Sequence, residues 1–143
     1  MSDPGELLLG GVTAVAIGGR ALLIEGVPGS GKSSLALALI DRGAVLIGDD
    51  GVRLDRNGEH LVANPPPHTA GLLEVRNIGL VTVNTTLAPV SLILQLDPAA
   101  PRFPEEVVSR TILGVQVPQL PFHPCDAVQA VRAEWALHLH GLI

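Results

Sequence analysis

Aromatic residues are nearly absent: one Trp, two Phe and no Tyr. A core without rings must be aliphatic. Hydrophobic residues fill 47% of the 143 positions, which argues against disorder. The single cysteine, Cys125, excludes an internal disulfide and fits a reducing cytosol, so a cytoplasmic location is expected. Lysine is equally scarce, and Lys32 is the only one. Nine basic residues face fourteen acidic ones, a net charge of −5. Such a chain is a poor binder of nucleic acid, because phosphate neutralisation needs clustered cations. No apolar run reaches membrane-spanning length. Leu7 to Gly18 is too short and is cut by Gly10 and Gly11. The opening Met1-Ser2-Asp3-Pro4-Gly5-Glu6 lacks the basic start of a signal peptide. The length suits one domain over 1–143, and no repeat, low-complexity block or linker divides it.

Sixteen Gly and twelve Pro predict many tight turns. Thr13 to Ile17 and Ala21 to Glu25 flank Gly18-Gly19 and read as a hairpin. Ser33 to Asp41 reads as a helix ended by Gly43, followed by a buried strand over Ala44 to Ile47. Val52 to Leu54 and His60 to Ala63 form a second hairpin around Arg56-Asn57-Gly58. Three prolines make Asn64 to His68 a loop. Further strands are predicted over Leu72 to Val75, Leu80 to Val83 and Val90 to Leu96. Pro104-Glu105-Glu106 resembles a helix start. A last helix is expected from Asp126, capped with Gln129, with Val128, Val131, Trp135 and Leu139 on one stripe and Trp135 in the core. The fold class is therefore α/β, a β-rich domain around one phosphate-binding loop.

Gly26-Val27-Pro28-Gly29-Ser30-Gly31-Lys32-Ser33 satisfies G-x-x-x-x-G-K-[ST] in full, and the cradle runs on to Ser34. Glycines let successive backbone N–H groups face phosphate oxygens, and the following helix adds the positive end of its dipole. Lys32 supplies charge to the β- and γ-phosphates, and the Ser33 hydroxyl ligates magnesium. ATP with Mg2+ is the expected ligand.

Asp49-Asp50 follow the apolar run Ala44 to Gly48. Beside a phosphate loop, one carboxylate there suits a metal and another suits the proton of an attacking hydroxyl. On Leu72-Leu73-Glu74-Val75-Arg76, the period of two puts Glu74 and Arg76 on one strand face. Glu74 can complete a magnesium site and Arg76 can neutralise phosphoryl charge, although a plain surface ion pair accounts for both residues equally well. His138 and His140 diverge on a helix, and His60 and His68 lack partners at metal spacing. Cys125 has no neighbouring cation and no place in the phosphate loop by sequence, and reads as a small hydrophobe.

The order of these elements resembles the catalytic domain of HPr kinase/phosphorylase, over about Gly10 to Pro124. The specific stretches are 26–33, Leu46-Ile47-Gly48-Asp49-Asp50-Gly51-Val52, Leu73-Glu74-Val75-Arg76-Asn77-Ile78-Gly79-Leu80 and Ile112-Leu113-Gly114-Val115-Gln116-Val117-Pro118. The resemblance, which is to the short single-domain alphaproteobacterial form, implies a PEP carboxykinase-like P-loop fold and a homo-oligomer, a hexamer. It implies a serine kinase acting on an HPr-type phosphocarrier. Lys32 matches the phosphate lysine, Ser33 and Glu74 the magnesium ligands, Asp50 the proton acceptor and Arg102 a catalytic arginine. Asp49 supports the site and the metal. The sequence departs from the family at Gly10 where a His stands, Ser34 for an acidic residue, Asn77 for a Gly, Phe103-Pro104 for the Leu-Gly after the arginine, and His123-Pro124-Cys125-Asp126 for a Gly- and Arg-rich segment. These departures fall mostly on positions tied to phosphorolysis, so that activity is expected to be weak. A nucleotide-sensing regulator and a small-molecule kinase are the rival readings.

Overall fold

A computed structural model describes residues 5–104 and 106–143. The reading of Met1 to Pro4 as lacking a leader, and Glu105 of the predicted helix start, lie outside the described residues. Eleven strands and two helices occur among the described residues. The expectation of more strand than helix holds.

The Gly18-Gly19 hairpin joins β2 (Thr13–Ile17) to β3 (Arg20–Glu25), with both glycines at positive φ as a primed turn requires. β3 runs into α1 (Lys32–Asp41), and β4 (Val45–Gly48) returns beside β2. β1 (Glu6–Gly10) pairs with β5 (Gly51–Asn57), which turns at Gly58 into β6 (His60–Asn64). β7 (Leu72–Val75) and β8 (Gly79–Thr82) form a separate two-stranded sheet. β9 (Ala88–Leu96) is the centre of the large nine-stranded sheet. One side of β9 lies parallel to β3. Along the other, Ala88 and Pro89 pair with β6 and Ile93 to Leu96 pair with β11.

The period of two splits the core between two faces. Ala14, Ala21, Leu23 and Ile93 meet Leu54, Leu61 and Val117 on one side. Val15, Leu22, Ile24, Leu92 and Leu94 meet Leu35, Leu39, Ala133 and Leu137 of the helices on the other. A strand buried on both faces reads as one continuous apolar run, as Ala21-Leu22-Leu23-Ile24 does.

The structure departs from the sequence reading at three places. No helix starts at Pro104. Residues 104, 106 and 107 carry no regular structure and lead into β10 (Val108–Ile112). β10 turns at Leu113-Gly114 into β11 (Val115–Phe122), and neither strand is evident from local sequence. Pro118 and Pro121 mask β11. Yet β11 pairs with β10 only over 115–119 and with β9 only over 119–122, so each proline lies where one side of the strand is unpaired.

The third is the face of α2 (Gln129–His140). Ala130, Ala133 and Leu137 are buried, while Trp135 is 60% exposed and Leu139 68%. Small alanines allow α2 to lie close against α1 and the sheet, and this turns the larger residues outward. The helix begins three residues later than Asp126. Asp126 Oδ1 accepts the Val128 N–H and Gln129 Oε1 accepts the Cys125 N–H, so both side chains serve the turn before the helix. The Arg20 guanidinium reaches the carbonyls of Leu137 and Leu142 at its far end. Arg42 and Glu134 join the two helices at 2.9 Å, and this hydrogen bond raises the arginine above its ordinary value. Because Arg42 is exposed, the pair contributes little to stability.

Leu137→Ala is expected to lower unfolding stability by about 2–4 kcal/mol, and Trp135→Ala by less than about 1 kcal/mol, because only the first opens a cavity. Urea denaturation of the two variants checks this order.

Candidate functional site

β3 ends at Glu25 and the chain enters the glycine-rich loop. The Ser30 N–H bonds the Val27 carbonyl, and the Leu35 N–H bonds the Gly31 carbonyl as the helix starts. Gly31 caps α1 at φ 105°, a conformation that residues with a Cβ rarely adopt. The Lys32 ammonium arches over the loop to the Gly26 carbonyl at 2.7 Å.

The acidic turn faces this loop. Gly48 has no room for a side chain, since a Cβ there would overlap the Gly51 carbonyl and stand 2.9 Å from Pro66 Cδ. The close turn gives Asp50 a φ of 57° and separates the two carboxylates. Asp49 is partly buried and takes three donors. Oδ1 accepts from the Ser33 hydroxyl at 2.7 Å and the Thr13 hydroxyl at 3.1 Å, and Oδ2 accepts from the Glu74 N–H at 3.0 Å. Asp50 is exposed, and its carboxylate makes no side-chain hydrogen bond among the described residues. Its backbone N–H lies 3.4 Å from Thr13 Oγ1, so one threonine serves both acids. Thr13 is fully buried and escaped sequence reasoning, because a lone threonine in an apolar strand carries no signal.

Thr13, Gly29, Gly31, Lys32, Ser33, Ser34, Asp49, Asp50, Glu74 and Arg76 line one cleft of about 490 Å³. Residues from four separate stretches of sequence thus converge. Arg102 is not among them. It lines a different cleft with Trp135 and Phe122, its guanidinium 5.6 Å from the Phe103 ring.

Cys125 is the unexpected neighbour. It is exposed, at φ 71°, with Sγ 3.8 Å from the Ser30 carbonyl and close against Gly31, where a Cβ would stand 2.8 Å away. The thiol therefore lies on the glycine-rich loop, not in the core. No local signal links positions 95 residues apart.

Among the described residues no three His, Cys, Asp or Glu side chains converge as a metal cage. The Ser33 hydroxyl, the Asp49 carboxylate and Glu74 on the cleft wall fit magnesium, which takes one or two carboxylates together with phosphate and water oxygens. No helix among the described residues is long and apolar enough to cross a membrane.

Comparison with known proteins points to one family. The model of the HPr Serine kinase C-terminal domain matches residues 9–123. The HPr kinase/phosphorylase of Pelodictyon phaeoclathratiforme is 32% identical, over 87% of this chain and 43% of that protein. That of Clostridium beijerinckii is 42% identical over 57% of this chain and 26% of that protein. The chain therefore spans between a quarter and a half of the length of these relatives. A solved structure of the Hpr(Ser) kinase/phosphatase from Coxiella burnetii superposes with a TM-score of 0.75 at 27% identity, covering 92% of this chain and 89% of that one. With its glycine-rich loop, acidic turn and Glu-x-Arg strand all inside the matched region, this chain belongs to the HPr serine kinase C-terminal domain family.

Proposed function

We propose that this domain is an ATP- and magnesium-dependent serine kinase that phosphorylates an HPr-type phosphocarrier. The observation that supports it most is the contrast between two adjacent carboxylates on one cleft. Asp49 is engaged by Ser33, Thr13 and the Glu74 N–H, while Asp50 is exposed and unengaged. One is built to hold a fixed geometry and the other to exchange a proton.

In this reading the loop amides of 26–31 and the start of α1 receive the triphosphate, and Lys32 leaves the Gly26 carbonyl for the β- and γ-phosphates. Ser33, Asp49 and Glu74 would hold magnesium, which would neutralise charge that develops on the phosphates. Asp50 accepts the proton of the acceptor serine as its oxygen bonds to the γ-phosphorus and ADP departs. Arg76 on the cleft wall offsets charge on the transferring group. Arg102, in another cleft, takes no step. Gly10 pairs with Gly51 beside the acidic turn, and a Cβ there would meet nothing within 4 Å. The position is open and carries no proton-transfer group, which supports weak phosphorolysis. The outward stripe of Val128, Trp135 and Leu139 supports a homo-oligomer, with a hexamer implied by the family resemblance.

Lys32→Ala is expected to weaken Mg-ATP binding about 100-fold, near 2.8 kcal/mol, in a folded protein. Calorimetry measures it, and an unchanged affinity removes the nucleotide site. Asp50→Asn is expected to slow transfer of labelled phosphate to a purified HPr-type carrier by roughly 10²–10⁴-fold. The same variant is expected to change ATP affinity less than about tenfold. Asp49→Ala strands three donors and is expected to lower stability by about 1–3 kcal/mol, which Asp50→Asn does not. Transfer untouched by Asp50→Asn would assign the proton elsewhere. Pyrophosphate release from phosphoserine carrier and inorganic phosphate is expected to be slower than forward transfer, and equal rates would show that the Gly10 and 123–126 departures do not matter.

A further inference from the structure

Glu25 is the residue immediately before the glycine-rich loop, and its side chain is only 19% exposed. A carboxylate at this point opposes the purpose of the loop, because a partly buried charge is screened less than one in water and repels an approaching anion. It stands one peptide from the Gly26 carbonyl that holds the Lys32 ammonium, the only lysine charge in the chain. Left unpaired, its charge at the start of the loop would disfavour an approaching triphosphate.

The β10–β11 hairpin answers it. Arg110 Nη1 donates to Glu25 Oε1 at 2.6 Å and Nη2 donates to Oε2 at 2.7 Å, a fork-to-fork pair. Gln119 Oε1, 3.4 Å from Nη1, supports the guanidinium from the neighbouring strand. The pair joins residues 85 positions apart, across β9 and β11.

We infer that Arg110 is a positioning residue for nucleotide binding: it holds and neutralises the Glu25 carboxylate so that the loop and Lys32 remain available to the triphosphate. This inference rests on the nucleotide reading of the cleft. It differs from a mechanical strut in the sign of its double variant. A strut is lost equally when either partner or both are removed. A neutralising partner is missed only while the carboxylate remains.

The test is calorimetry of the full chain with Mg-ATP, with thermal melting of each variant alongside. Arg110→Ala is expected to weaken binding about tenfold, Glu25→Gln less than about twofold, and the double variant Glu25→Gln/Arg110→Ala to recover to within about threefold of the parent. Arg110→Lys is expected to restore most of the affinity, since it returns the charge without the fork. If the alanine variant does not fold, Arg110→Gln, alone and with Glu25→Gln, carries the same comparison. A double variant as weak as Arg110→Ala would make the pair a strut and overturn the inference. Parent protein that does not bind Mg-ATP would overturn the nucleotide reading and the inference together, whereas parent binding with no Arg110 effect overturns the inference alone.

Discussion

The Asp49 carboxylate holds the site in one piece. It takes hydrogen bonds from Thr13 on β2, Ser33 on α1 and the Glu74 backbone on β7, and it stands on the turn after β4. A carboxylate drawn partly out of water is tolerated only when its oxygens are satisfied, and three donors do this. The glycine-rich loop, the acidic turn and the Glu-x-Arg strand are thereby placed relative to one another. The β7–β8 sheet depends on it most, because a two-stranded sheet is marginal alone. Besides Asp49, that sheet is fastened by buried Leu73, and the chain that leaves it is tied to β4 by the Thr86 N–H to the Leu46 carbonyl.

Features decided within a dozen residues were legible in the sequence. Gly18-Gly19 announced the first hairpin, Gly43 the end of α1, and the apolar run before Asp49 a buried strand. The site motifs were legible because each lies on one short stretch. What stayed hidden depends on distant partners. β1 carries the half-exposed Leu7 and Leu8 and becomes a strand only by pairing with β5. β11 carries two prolines at positions made harmless by its changing neighbours. The stripe of large residues on α2 promised a core face, but the alanines set how closely the helix could approach. Cys125 looked like filler until the chain brought it to Ser30 and Gly31. Within the acidic pair, the motif marked both positions, but only the fold separated the engaged Asp49 from the exposed Asp50.

Charge is placed sparingly in this chain. The single lysine is at the loop, and Arg110 is spent on Glu25 while Arg132 binds Asp126 and the His123 carbonyl. Arg76 alone adds guanidinium charge to the cleft lining. A strand-rich scaffold with an aliphatic core permits this economy, since β9 pairs with β3, β6 and β11 and the loop springs directly from β3.

The outward position of Trp135 has a spectroscopic side. It is the only tryptophan in a chain without tyrosine, and it lies on the water side of α2, edge-on to His138 at 5.7 Å. Its emission reports the environment of that helix surface and not the packing of the core. Unfolding of a chain whose α2 surface is uncovered leaves it largely in water and changes the colour of its fluorescence little. Anything that settles on α2 removes water from the indole and shifts its emission to the blue. The same residue that is a poor probe of folding is thus a built-in probe of association.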